Sequence, residues 1–247
     1  MEKFPAEFAD FIKRPPASST NHHRLGADGD YVRWFPNLVK PALVKQAIRL
    51  LEKNMEPYMR TWNTPIPKEL IPNLRQNFKE TLPKTFRNDS VILNSSQTPA
   101  AVKAKKIGLL QMLGSESLRR FAEACSGYAL DGDPGFQVSR YKAGDYVGPH
   151  NDHHPQDWNL RDGYIDLHIT LTNPSVVSQY FIYEHQGVLN RTVNVSVPSG
   201  VTVSRLPYWH QVTPLVAKKG QEAEAQRWLL LVSFTIIQQH TNKKSTR

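Results

Sequence analysis

One cysteine, Cys125, is all that the 247 residues contain. It cannot close an internal disulfide, so burial alone must hold the fold, and the usage predicts a reducing, cytoplasmic setting. No run of about 18 apolar residues occurs, so a membrane-spanning helix is not expected. The opening residues, MEKFPAEFADFIKRPP, lack the apolar segment of a secretory signal. Internal repeats and βαβ alternation are missing as well, which argues against solenoids and parallel doubly wound sheets.

A dense basic block is also absent, although the net charge is +9. Residues 40–120 hold fifteen Lys/Arg against six Asp/Glu, and the rest of the chain balances. Such a window either attracts an acidic carrier or protein partner, or is a solvated helical face. Direct nucleic-acid binding would interleave aromatic rings with the charges. Only Tyr58, Trp62, Phe78 and Phe86 do so here, so no nucleic-acid partner is expected.

The chain is long enough to bury one core without staples. Residues 1–30 are polar and irregular, an arm expected to wrap the surface. From Tyr31 to about 240 a single domain is expected, with a tail over 241–247. Its first part, 31–130, is expected to be mainly a helical layer. After the short strand YVRWFPNLV, Pro41 opens a helix carrying Leu43, Ala47, Ile48 and Leu51 at helical spacing. Residues 66–82 look partly helical, with Pro72 interrupting the run. Thr98-Pro99 signals a helix to about Leu113, and Ser115 caps another ending near Gly127.

Beyond Asp131-Gly-Asp-Pro-Gly, β-branched and aromatic runs separated by turn residues predict roughly eight antiparallel strands over 136–237. The fold expected is mostly β with α: a double-stranded β-helix (jelly roll) with the helical layer packed on one sheet.

In GDYVGPHNDHHP, His150 and Asp152 are two residues apart near a strand end, where i and i+2 share a face. Nine His and eleven Asp give about 0.4 such pairs by chance, so the pair alone is weak. His210, in PYWHQVTPL sixty residues later, supplies a third ligand. Two histidines and one carboxylate form the facial set that leaves three positions open on Fe(II).

With Tyr141, GDYVGPHND, DGYIDLHITLTN, VPSGVTVS, HQVTPL and RWLLLVSF, residues 136–237 resemble the Fe(II)/2-oxoglutarate-dependent dioxygenases, in particular their prolyl-hydroxylase-like branch. The resemblance implies an enzyme that uses Fe(II), 2-oxoglutarate and O2 to hydroxylate a C–H bond. It implies iron on His150, Asp152 and His210, and a basic residue on the following strand that pairs with the distal carboxylate of 2-oxoglutarate. Arg227 matches that position, and Arg205 is the alternative. The gap from His210 to Arg227 is longer than usual for the family, and the polar AKKGQEAEAQ reads as an expanded turn. Tyr141 matches a tyrosine that donates to 2-oxoglutarate, with core packing as the other reading. Ser233 stands where nucleic-acid dealkylases of the superfamily carry a second arginine, which argues against that activity. His153, His154 and Asp157 are expected on a loop at the mouth, and Trp158, Arg161 and Trp209 at the substrate entrance. Asp166 and His168 read as structural. The substrate expected is a small molecule, an amino acid or related metabolite, free or carrier-bound. The alternative is a protein side chain, as in prolyl hydroxylation.

Overall fold

In a computed structural model, residues 2–5, 7–8, 24–64, 85–152 and 163–237 are described. Among them are the strands β1 (Val32–Pro36), β2 (Arg60–Thr64), β3 (Phe86–Ile92), β4 (Gly135–Lys142), β5 (Tyr146–His150), β6 (Tyr164–Thr172), β7 (Val176–Ser178), β8 (Tyr180–His185), β9 (Val188–Asn194), β10 (Ser199–Leu206), β11 (His210–Val212), β12 (Val216–Ala217) and β13 (Gln226–Thr235). The helices are α1 (Pro41–Asn54), α2 (Pro99–Lys106), α3 (Leu109–Leu113) and α4 (Glu116–Ser126).

Eleven strands form one antiparallel path, β1-β10-β6-β13-β4-β3-β5-β11-β8-β9, with β2 beside β3. It folds on itself as a jelly roll. β1, β10, β6, β13, β4 and β3 make the major sheet, and β5, β11, β8 and β9 face it. The expected fold class is therefore observed.

Strand alternation explains how the major sheet is covered on both faces. Ile165, Leu167, Ile169 and Leu171 of β6 point outward with Val201 and Val203 of β10 and Trp228, Leu230, Val232 and Phe234 of β13. These join Val44, Ala47, Ile48 and Leu51 of α1 and Leu118, Phe121 and Ala122 of α4 in one core. Phe4 and Phe8 of the arm pack edge-on at 5.2 Å within this core. The Phe4 N–H donates to Ile107 O. The opposite face of the sheet is mostly polar and looks into the barrel.

The first half of the chain is less purely helical than its sequence predicts. β3 inserts between β4 and β5, and so links the two sheets. Its sequence, FRNDSVI, is polar because its outward Asp89 is paired rather than solvated. Asp89 accepts from Arg140 at 2.7 Å and Thr61 at 2.7 Å, and Lys142 lies 2.8 Å away. Burial opposes its ionisation, yet hydrogen bonds from Lys142, Thr61 and Arg140 hold the carboxyl down to about 2.

The helix expected from Thr98 to Leu113 is two helices. Gly108, at φ 79°, ends the first, because only glycine takes that conformation without cost. The expected caps are present: Thr98 Oγ1 accepts from Ala101 N and Ser115 Oγ from Leu118 N. Among the described residues no helix is long and apolar enough to cross a membrane. The helical segment read into 66–82, most of the arm and the tail lie outside the described residues.

Candidate metal centre

β5 and β11 pair antiparallel, which sets His210 directly opposite His150. Their imidazole centroids are 4.1 Å apart. Gly148 makes the close approach behind this pair possible. Its N–H donates to Thr85 O at 2.7 Å, and a Cβ there would crowd Thr85. Asp152 lies two residues beyond β5, with φ at 49°. Aspartate tolerates this left-handed conformation better than most residues. The turn brings its Oδ2 to 3.2 Å from His150 Nε2 and 3.6 Å from His210 Nε2. One ligand atom from each residue falls within 4.8 Å of the others.

The tautomers are fixed by the backbone. His150 Nδ1 lies 2.8 Å from Gly148 O and His210 Nδ1 2.9 Å from Tyr208 O. A carbonyl only accepts, so each Nδ1 carries a proton, and in the neutral ring Nε2 is the nitrogen left to ligate a metal beside Asp152. Two imidazole nitrogens and one carboxylate, converging from one side, suit a divalent first-row metal with open positions.

The three line a cavity of about 410 Å³ between the two sheets. Arg227 enters the same cavity from β13, where it pairs with Tyr141 of β4 and Thr172 of β6. The long turn before it leaves the register intact. β12 leaves the main sheet to pair with β7, and residues 218–224 are exposed. Arg227 is 2% exposed. Its Nε donates to Gln179 Oε1 at 2.6 Å and its Nη1 to Thr170 Oγ1 at 3.3 Å. Its Cζ sits 4.2 Å from the Tyr141 ring centroid. No carboxylate pairs with it among the described residues, and its buried Nη2 has no hydrogen-bond partner. Burial pulls the guanidinium's pKa down. Burial likewise raises that of the Tyr141 hydroxyl, against the pull of Arg227, so the phenol stays protonated. A buried cation with an open donor fits an anionic group supplied from outside the chain.

Arg205 has the opposite parity on β10 and lies against Gly26, Gly163 and Tyr128, away from the cavity. Trp209 is half-buried beside His210 and is not in the cavity wall. Its backbone N–H donates to Glu184 Oε2. His153, His154, Asp157, Trp158 and Arg161 lie outside the described residues. Asp166 and His168, read from sequence as structural, both line the cavity. Gln179, Thr170 and Asn88 also escaped the sequence reading. Gln179 is fully buried, and its Nε2 donates to Asp145 O and Thr213 O, so its Oε1 is turned toward Arg227. Thr170 belongs to the polar parity of YIDLHITLT and was legible there. Gln179 precedes its strand and carried no periodic signal.

No protein-family model matches the chain, and no curated protein matches it by sequence. Among solved structures it is similar to an oxidoreductase of the 2OG-Fe(II) oxygenase family from Burkholderia pseudomallei. The identity is 14% over 95% of this chain and 93% of that one, with a TM-score of 0.52. It is also similar to a non-heme alpha-ketoglutarate-dependent carbocyclase from nogalamycin biosynthesis. There the identity is 10% over 94% and 83% of the two chains, and the TM-score is 0.52. At these identities the likeness is one of fold.

Proposed function

We propose that the chain is an Fe(II)- and 2-oxoglutarate-dependent oxygenase that hydroxylates a C–H bond of an amino acid or related small metabolite, free or carrier-bound, while 2-oxoglutarate and O2 yield succinate and CO2. One observation carries this reading: a two-histidine, one-carboxylate cluster shares its cavity with a buried arginine that no carboxylate of the described chain satisfies. His150, Asp152 and His210 would hold the iron, which supplies the activation of O2 when bound. Arg227 pairs the distal carboxylate of the cosubstrate, steadied by Gln179, Thr170 and the Tyr141 ring. A guanidinium held on three sides positions that carboxylate before any chemistry begins.

Calorimetry of the metal-loaded chain tests the cosubstrate. 2-Oxoglutarate should bind with one equivalent per chain, and succinate far more weakly, because succinate offers Arg227 a carboxylate but the metal no keto acid. Equal binding of the two would contradict the reading.

A small-molecule substrate is favoured over a docked acidic protein by where the basic helices lie. Lys103, Lys105 and Lys106 occupy the last turn of α2, where cations complement the helix dipole. α2 packs in the core behind the major sheet, on the face away from the cavity. Turnover should therefore change little between low and physiological salt, and little when the three lysines are reversed to glutamate. A steep salt response abolished by the triple reversal would make the layer a docking surface and the substrate a macromolecule.

A further inference from the structure

The far end of the barrel's inner wall holds a buried carboxylate that the proposed chemistry does not use. Ser204 of β10, Asp166 of β6 and Ser233 of β13 form one inward row, in register across three strands. Thr202, His168 and Leu231 form the next. Arg227 lies six residues from Ser233 along β13, roughly 20 Å at about 3.3 Å per residue. An anion held at Arg227 therefore leaves this end open.

Asp166 is 5% exposed, and the described residues include no lysine or arginine paired with it. Ser233 Oγ donates to its Oδ1 at 2.6 Å. Its Oδ2 lies 3.6 Å from His168 Nε2, too far for a hydrogen bond, and that buried nitrogen has no hydrogen-bond partner. The order serine–carboxylate–imidazole rules out an activated serine, because the hydroxyl proton points at the aspartate and no base faces the oxygen. An ionised carboxylate has about four acceptor sites, and the described residues fill one. Tyr164 and Tyr208 stand between this row and the metal cluster. The Tyr164 hydroxyl donates to Asp152 O at 3.3 Å.

We propose that Asp166 and His168 form a subsite for a cationic group, so that the substrate is a small ammonium or guanidinium compound such as a basic amino acid or an amine. One N–H of the cation donates to Asp166 Oδ2 and another to His168 Nε2. A neutral hydroxyl has one proton to donate, so it serves only one of the two acceptors and leaves the buried negative charge uncompensated. The fate of the bound cation rests on the oxygenase reading, whereas its recognition does not.

The full chain, loaded with Mn(II), is titrated with cadaverine against 1-pentanol and with butylamine against butanol, in the presence and absence of 2-oxoglutarate. The cationic member of each pair should bind about tenfold tighter or better. In Asp166→Asn, which keeps the shape and the Ser233 bond, the preference should fall below about twofold while 2-oxoglutarate affinity stays unchanged. Ser233→Ala keeps the charge and should keep the preference. Equal binding within each pair by the unmodified chain overturns the proposal without any variant. So does a preference retained in folded Asp166→Asn. Cation preference without 2-oxoglutarate binding would instead sink the oxygenase reading and leave this subsite standing.

Discussion

Replacing His210 with alanine should lower divalent-metal affinity by at least about a hundredfold. Disturbing a ligand's outer partner alone costs about 10–100-fold, and this change removes the ligand itself. The variant should still fold, since His210 sits on a three-residue strand whose backbone pairs with β5 and β8 on either side. The two effects separate in a thermal melt. Metal at a hundred times its dissociation constant adds about 2.7 kcal/mol to the stability of the unmodified chain. That stabilisation should vanish in the variant, while the metal-free midpoints stay close. Undiminished metal binding would remove His210 from the site.

The second large effect falls on Arg227. Unpairing a buried carboxylate costs about 2–5 kcal/mol, so Arg227→Met should weaken 2-oxoglutarate binding by roughly thirtyfold to several thousandfold. Metal affinity should hardly change. The stability of the variant discriminates further. Arg227 is a buried cation without a counter-carboxylate among the described residues, and desolvating such a charge costs several kcal/mol. Methionine removes that penalty and forfeits hydrogen bonds to Gln179 and Thr170 of about 1 kcal/mol each. The variant should therefore be as stable as the original or more so. A structural arginine would behave the opposite way. Arg227→Lys keeps the charge but loses the planar fork and its packing on Tyr141, so its affinity should fall in between. Unchanged 2-oxoglutarate affinity in both variants would end the assignment.

Much of this site was legible because its determinants are local. His150 and Asp152 are neighbours in sequence, and His210 and Arg227 each flank a strand that alternation and β-branching announce. The expanded turn between the last two read correctly, since the charged run over residues 218–224 has no apolar face to bury. Other features depended on what lies across the fold. Alternation in YIDLHITLT separates Tyr164, Asp166, His168 and Thr170 from the apolar parity, but it cannot say whether the polar face meets water or a cavity. Here α1 and α4 cover the apolar face, so the polar one turns inward and Asp166 and His168 become part of the wall. β3 was hidden for a related reason. FRNDSVI carries an arginine, an asparagine and an aspartate, and its Asp89 is accommodated by Arg140 and Lys142, which pair with its charge, and by a hydrogen bond from Thr61, all on neighbouring strands. Gln179 acts through a single contact to a residue 48 positions away, which no window of sequence reports.

Succinate release from 2-oxoglutarate by the purified chain is the most direct test of the central claim. With Fe(II) and O2 supplied, succinate should form above background even without substrate, and increase when a suitable small molecule is added. Formation should stop when Fe(II) is chelated or O2 removed, and should be lost in His150→Ala, Asp152→Ala and His210→Ala. Succinate formation that persists in those three variants, or a metal-loaded chain that binds 2-oxoglutarate yet never converts it with any small molecule or protein offered, would contradict the account.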